Sequence, residues 1–271
     1  MSGLAEFLEL AEPIVAVRIS NVRGSSPREV GAFMLVAETA LWGTVGGGQL
    51  EYMAIDEARA LARSPECSRQ MNVPLGPEIG QCCGGHVQLD LRVIDQAEKA
   101  RLLAQEAARM AALPEVLILG SGHIGRALAY AFAPLPVRAI LVDSRAEELA
   151  RAPEGVEQLC TPLPELTLRG ARAGAAYIVA THEHSLDFLL TSEALARGDA
   201  AYVGMIGSKT KRAKFESWTV GEVDQLVCPM AAAHKGDRRP EVIAAFVVAE
   251  VMVRLAAFQD AVNRQSVRGK A

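Results

Sequence analysis

The sequence predicts an α/β chain in which a small α+β domain precedes a Rossmann-like domain built on a parallel sheet. Three observations lead there. Val116 to Leu119 is an uninterrupted apolar run, as expected of a strand covered on both faces, and it enters Gly120, Gly122 and Gly125 at the G-x-G-x-x-G spacing. Beyond the helix these glycines open, a second apolar run, Val137 to Val142, ends in Asp143, where such folds place the carboxylate that holds a ribose hydroxyl. From Asp143 onward apolar runs and helical stretches alternate, whereas the chain before residue 95 reads as short strands separated by Gly, Ser and Pro.

With 271 residues there is room for two domains, 1–95 and 115–271, joined by a helical linker over 96–114. Half of the residues are hydrophobic and 5% are aromatic, so the cores should be aliphatic. A net charge of -4 argues against a general nucleic-acid binder, which needs a basic surface to neutralise phosphates. The most apolar stretch, Val242 to Ala249, is too short to span a membrane and runs into Glu250. The first residues have no positive start and carry acids through their apolar part, unlike a signal peptide, and the expected location is the cytoplasm. Cys67, Cys82, Cys83, Cys160 and Cys228 form no CxxC pair and are expected to be reduced thiols.

In order along the chain, Leu4 to Leu10 reads as a short helix stopped by Pro13, and Ile14 to Ile19 as a strand. Its exit, NVRGSSPREVGA, is either a hairpin connection or an anion-binding loop in which Arg23, Ser25, Ser26 and Arg28 face a ligand. Strands follow at Phe33 to Ala37 and Leu41 to Val45. The latter ends in Gly46, Gly47 and Gly48 before a helix from Gln49 to Arg63, a second candidate anion site by the same backbone logic. Glu51, in the first turn, suits the helix dipole without any further role. Cys82 and Cys83 stand between glycines ahead of a strand in which Val87, Leu89, Leu91 and Val93 alternate inward. The spaced ligand pairs of a zinc site are missing. A single loop thiol for a soft metal or for sulfur transfer is what remains, with His86 nearby and Cys83 preferred because it directly precedes two glycines.

Gln96 to Leu113 is an alanine-rich helix closed by Pro114. In the second domain Val156 to Cys160, Tyr177 to Ala180, Ala201 to Ile206 and Gln225 to Cys228 read as strands. His182, His184 and Asp187 follow the Tyr177 strand; they would bind a metal, position a substrate at the carboxyl end of the sheet, or merely cap the helix that runs to Ala196. GSKTKRAK opens the next helix with Lys209, Lys211, Arg212 and Lys214, which form either a solvated face or a site where Lys209 or Arg212 contacts a phosphate. A helix from Pro240 to about Phe258 is apolar on nearly every side, so it is either deeply buried or part of a homodimer interface, and the tail from Asn263 should be disordered.

Taken together, VRGSSPREVGA, GTVGGGQLE, GQCCGG, LILGSGHIGRAL, VDSR, THEHSLD, YVGMIGSKTKR and the CP...KGDRRPEVIAA block resemble the XdhC/CoxI family of accessory factors for xanthine dehydrogenase and related molybdenum hydroxylases. The last block looks closer to the xanthine dehydrogenase branch than to the carbon monoxide dehydrogenase branch. The resemblance implies a chaperone without turnover of its own. Such a protein binds the molybdenum cofactor, protects it while a cysteine desulfurase supplies sulfide, and hands it to the molybdenum-binding subunit of xanthine dehydrogenase. It also implies that Cys83, or its neighbour Cys82, approaches the molybdenum. Two other classes stay open: an NAD(P)-dependent oxidoreductase using Gly120, Gly122, Gly125 and Asp143, and a sulfurtransferase carrying a persulfide on one of the paired cysteines.

Overall fold

Alternation of buried and exposed residues builds the first sheet, and continuous burial builds the second. The computed structural model describes residues 3–10, 12–26, 28–76, 84–231 and 236–268. It divides into two units, Met1–Arg109 and Met110–Ala271.

The first unit contains α1 (Gly3–Leu8), β1 (Val15–Arg23), β2 (Phe33–Val36), β3 (Leu41–Gly43), α2 (Gly48–Ala62), β4 (Ser68–Pro74) and β5 (His86–Val93), followed by α3 (Gln96–Ala112), which runs across the division. Its five strands form an antiparallel sheet in the order β3-β2-β1-β5-β4. Val15, Val17 and Ile19 point every second residue to one face, where they meet Leu89 and Leu91 of β5 and the Leu50, Ala54, Ala58 and Leu61 stripe of α2. On the other face a smaller cluster joins Leu4 and Phe7 of α1 to Leu35, Ile94 and Leu102. Leu102 lies on α3 and is the one buried residue of that helix. Strand β4 was not foreseen: only Val73 of its residues is buried, so it carries almost no apolar signal.

The second unit holds β6 (Glu115–Leu119), α4 (His123–Phe132), β7 (Arg138–Asp143), α5 (Ala146–Leu149), β8 (Glu157–Cys160), α6 (Pro164–Gly170), β9 (Ala176–Val179), α7 (His184–Ala196), β10 (Tyr202–Met205), α8 (Lys209–Trp218), β11 (Leu226–Val227) and α9 (Pro240–Arg268). Its six parallel strands lie in the order β11-β10-β9-β6-β7-β8. The chain winds outward from β6 in one direction, returns to the other side of β6 and winds outward again. Strands β6, β9 and β10 are buried at every residue, because helices cover both faces. Leu128 and Phe132 of α4 pack with Val247 and Val251 of α9 on one side, and Leu168, Leu190 and Phe215 cover the other.

Helix α9 departs from expectation in two ways. It continues to Arg268, so residues 263–268 are helical rather than disordered. It also buries one stripe, Ala244, Val247, Val251 and Leu255, and leaves other apolar positions such as Val253 exposed, so of the two expectations deep burial is excluded and an interface is not. No described helix is long and apolar enough to cross a membrane.

Candidate functional site

Strand pairing decides which loops meet in the first unit. Arg23 pairs with His86, and His86 with Pro74, so the end of β1, the start of β5 and the end of β4 lie side by side. Met34 pairs with both Val17 and Gly43, so β3 runs in the same direction as β1 but ends level with Val17, short of Arg23. The loop that begins at Arg23 and carries Ser25 and Ser26 is thereby brought to Gly84 and Gly85.

Their approach is close. Ser25 forms a bridge with Gly84, and a Cβ added to Gly85 would stand 2.0 Å from the Ser25 carbonyl oxygen, so no side chain fits there. Leu75 donates its N–H to the Gly85 carbonyl at 2.7 Å, and Gly84 donates to the Leu75 carbonyl at 2.9 Å. Cys82 and Cys83 lie outside the described residues. Arg23, Ser25 and Arg28 are exposed, Ser26 is half-buried, and His86, the first residue of β5, is exposed.

At the glycine triplet the chain supplies its own anion. Oε2 of Glu51 accepts the N–H groups of Val45 and Gly47, each at 3.1 Å, and the hydroxyl of Thr44. Burial pushes the Glu51 carboxyl up, but bonds from Thr44, Gly47, Val45 and Gly46 outweigh it and hold the group below its ordinary value. Glu51 therefore has a task beyond the helix dipole: it satisfies the loop that Gly46, Gly47 and Gly48 form.

In the second unit the parallel register sets Leu119, Val142, Val179 and Met205 in one row. The residues that follow them, Gly120, Asp143, Ala180 and Ile206, leave the sheet together at its carboxyl end, with the reversal of winding between β6 and β9. Gly125 brings α4 down on this turn: a Cβ there would lie 1.8 Å from the Gly120 carbonyl oxygen. Gly122 is the N-cap of α4, and no side chain caps that helix.

Asp143 is buried and its carboxylate is already engaged. Oδ2 accepts from the Ser121 N–H at 2.7 Å and Arg145 Nη2 at 2.9 Å; Oδ1 accepts from the Arg145 N–H at 3.0 Å and Nε at 2.9 Å. Burial alone would raise its pKa, yet Arg145 and the two backbone N–H groups bring it down to about 2. A ribose hydroxyl would have to displace Arg145. The crevice beside it, among Gly120, Asp143, Ser144, Pro162, Pro164 and Thr181, measures about 50 Å³.

The β9–β10 side is open. Asp187, on the first turn of α7, turns inward, accepts from the Thr181 N–H at 2.9 Å and hydroxyl at 2.7 Å, and pairs through its other oxygen with Lys211. Lys211 also donates to the Ile206 carbonyl at 2.8 Å, tying the loops after β9 and β10 together. His182 and His184 are exposed at the rim of a cleft of about 580 Å³ that also meets Phe188, Ser208, Lys211 and Lys214. The metal option for His182, His184 and Asp187 finds no support, since no group of three or more His, Cys, Asp or Glu among the described residues is placed to hold an ion. Of the expected phosphate contacts, Lys209 is exposed, whereas Arg212 donates to the Leu226 carbonyl at 2.7 Å and pairs with Glu216, so it secures β11.

A family model described as the XdhC Rossmann domain matches residues 116–251, and one described as the XdhC and CoxI family matches residues 7–70. The chain belongs to the XdhC and CoxI family. Among curated proteins, "Uncharacterized protein YqeB" of Escherichia coli (strain K12) is 24% identical over 257 residues, 89% of this XdhC-type chain but 43% of the relative, so the chain spans less than half of that protein. A solved structure described as a xanthine dehydrogenase from Bacillus halodurans superposes with a TM-score of 0.77 at 18% identity, over 94% of this chain and 95% of that one; at this identity the likeness is one of fold.

Sequence reasoning passed over Arg145 and Thr181, and among the cations of GSKTKRAK it favoured Lys209 and Arg212 over Lys211 and Lys214. A signal for the lysines was present: Thr210, Lys211 and Lys214 share one helical face by i,i+3 and i,i+4 spacing, and Arg212 does not.

Proposed function

We propose that this XdhC-family chain binds the molybdenum cofactor, shields it while a cysteine desulfurase supplies sulfur, and delivers it to the molybdenum-binding subunit of xanthine dehydrogenase. The observation that carries the proposal is the contact of Gly84 and Gly85, the two glycines of the CGG motif, with Ser25 in the Arg23–Ser25–Ser26 loop. Family membership supports the accessory role, and the Bacillus halodurans description points to the same client.

The donor set fits the group. A thiolate from Cys83 or Cys82 is a soft ligand suited to molybdenum, and Arg23, Arg28, Ser25 and Ser26 supply donors for a phosphate and a pterin edge. The cofactor supplies the redox metal; the chain binds and orients it and has no turnover of its own. The homodimer is suggested by the apolar character of α9, part of which, such as Val253, is exposed, and the cytoplasmic location by the sequence alone. The engaged carboxylate of Asp143 disfavours the oxidoreductase alternative, whose dinucleotide would need that group.

The test is equilibrium binding of purified molybdenum cofactor to wild type, Cys82→Ala and Cys83→Ala, with NADH and NADPH in parallel. Loss of binding in one cysteine variant, with the fold intact, is the expected result. Equal binding by all three proteins, or binding of NAD(P)H alone, would overturn the reading.

A further inference from the structure

The two halves of the carboxyl-end crevice in the Rossmann unit are unequal, and the inequality selects a ligand. A dinucleotide lies across both halves of such a sheet, with adenosine over β6 and β7. Here that half offers about 50 Å³ between Gly120, Asp143 and Pro162. That is well below the volume of a small-molecule pocket. The other half, about 580 Å³, lies within the size range of small-molecule pockets, roughly 300–1,000 Å³.

Its walls differ in chemistry. Lys211 and Asp187 neutralise each other, with side chains 11% and 2% exposed, so they form a fixed frame rather than a free charge. Gly207, Ser208 and Thr210 line the cleft, so the N-terminal turn of α8 faces it, with Ser208 accepting the Lys211 N–H at 3.3 Å. Lys214 adds an exposed ammonium on the same helical face. On another wall Phe188 presents an apolar ring, held by Phe215 at 5.4 Å and Trp218 at 5.7 Å between centroids. His182 and His184 complete the rim.

We infer that the Rossmann unit binds a single phosphomonoester of a flat heterocycle, of nucleoside monophosphate size, in the β9–β10 cleft. The phosphate sits on Lys214 and the start of α8, and the ring lies against Phe188. No dinucleotide spans the sheet. This site is formed within the second unit alone and does not rest on the cofactor reading of the first unit.

The experiment titrates the intact protein with AMP, CMP, GMP, inorganic phosphate and NAD+, by calorimetry and by the fluorescence of Trp218, which neighbours Phe188. At least one monophosphate should bind about tenfold or more tightly than inorganic phosphate, which lacks the ring. Lys214→Ala should weaken it about tenfold, the loss of one charge-assisted contact, and Lys214→Glu should abolish it. Lys214 is exposed, so both variants should fold, as circular dichroism would verify. Cys83→Ala should bind the monophosphate as wild type does, which separates this site from the first unit. The inference is overturned if no monophosphate binds, if inorganic phosphate binds as tightly, if Lys214→Ala changes nothing, or if NAD+ binds more tightly than every monophosphate.

Discussion

Glu51→Ala removes the acceptor around which the glycine turn of the first unit is formed. Three donors converge on one carboxylate oxygen: the Thr44 hydroxyl and the N–H groups of Val45 and Gly47. A hydrogen bond to a charged group contributes about 1.5–3 kcal/mol net, but Glu51 is only half-buried and water would replace part of what is lost, so we expect about 2–3 kcal/mol in total. Glu51→Gln keeps an acceptor without the charge and should cost about 1 kcal/mol. The assay is urea unfolding followed through Trp42 in a Trp218→Phe background, since these are the chain's two tryptophans and Trp42 lies on β3. The pH dependence adds a second check. The Glu51 pKa is lowered from its ordinary 4.5, so the charge contributes fully above that value and the contribution is lost as pH falls through the folded value. The penalty of Glu51→Gln should therefore shrink in acid. A cost for Glu51→Ala below about 0.5 kcal/mol, the level of an ordinary surface change, would refute the reasoning. So would a Glu51→Gln penalty that persists unchanged at low pH.

Other substitutions probe the second half of each argument. Gly85→Ala would set a Cβ 2.0 Å from the Ser25 carbonyl oxygen, so it should destabilise the first unit by more than about 3 kcal/mol and weaken cofactor binding, both read on one sample by urea unfolding and cofactor titration. Wild-type stability in this variant would show that the contact with Ser25 is loose. Asp143 ionises at about 2 instead of 3.8, so its charge contributes roughly 2 kcal/mol, complete above pH 3.8 and lost as pH falls through about 2. Calorimetry of Asp143→Asn should accordingly show a lower transition temperature at neutral pH and a narrowing gap in acid, and a constant gap would mean that Arg145 does not depend on the charge.

Much of the fold was legible because its signals are local. The uninterrupted run before Gly120, the alternation from Val87 to Val93 and the Gly-Ser start of α8 each report a period or a turn that a few neighbouring residues impose. Where an element buries little, as β4 does with Val73 alone, no period exists to read. The end of α9 was missed for a related reason: once helical hydrogen bonds propagate, polar residues beyond Phe258 continue the helix without an apolar stripe.

The candidate sites divide along the same line. By itself the sequence determined which residue types are present and which loops carry them, including the glycines that allow close backbone approach and the family that their ordered motifs mark. Only the tertiary structure decided what each group touches. Arg145 is two residues from Asp143 and Glu51 four from Gly47, but turn geometry settles whether such neighbours face each other. Lys211 and Asp187 are 24 residues apart and meet because β9 and β10 pair in parallel register, so that the loops after them leave the sheet side by side. A pairing set by register across separate strands has no local trace in a chain, and for that reason the open cleft at Lys214 came from the folded arrangement and not from the motif.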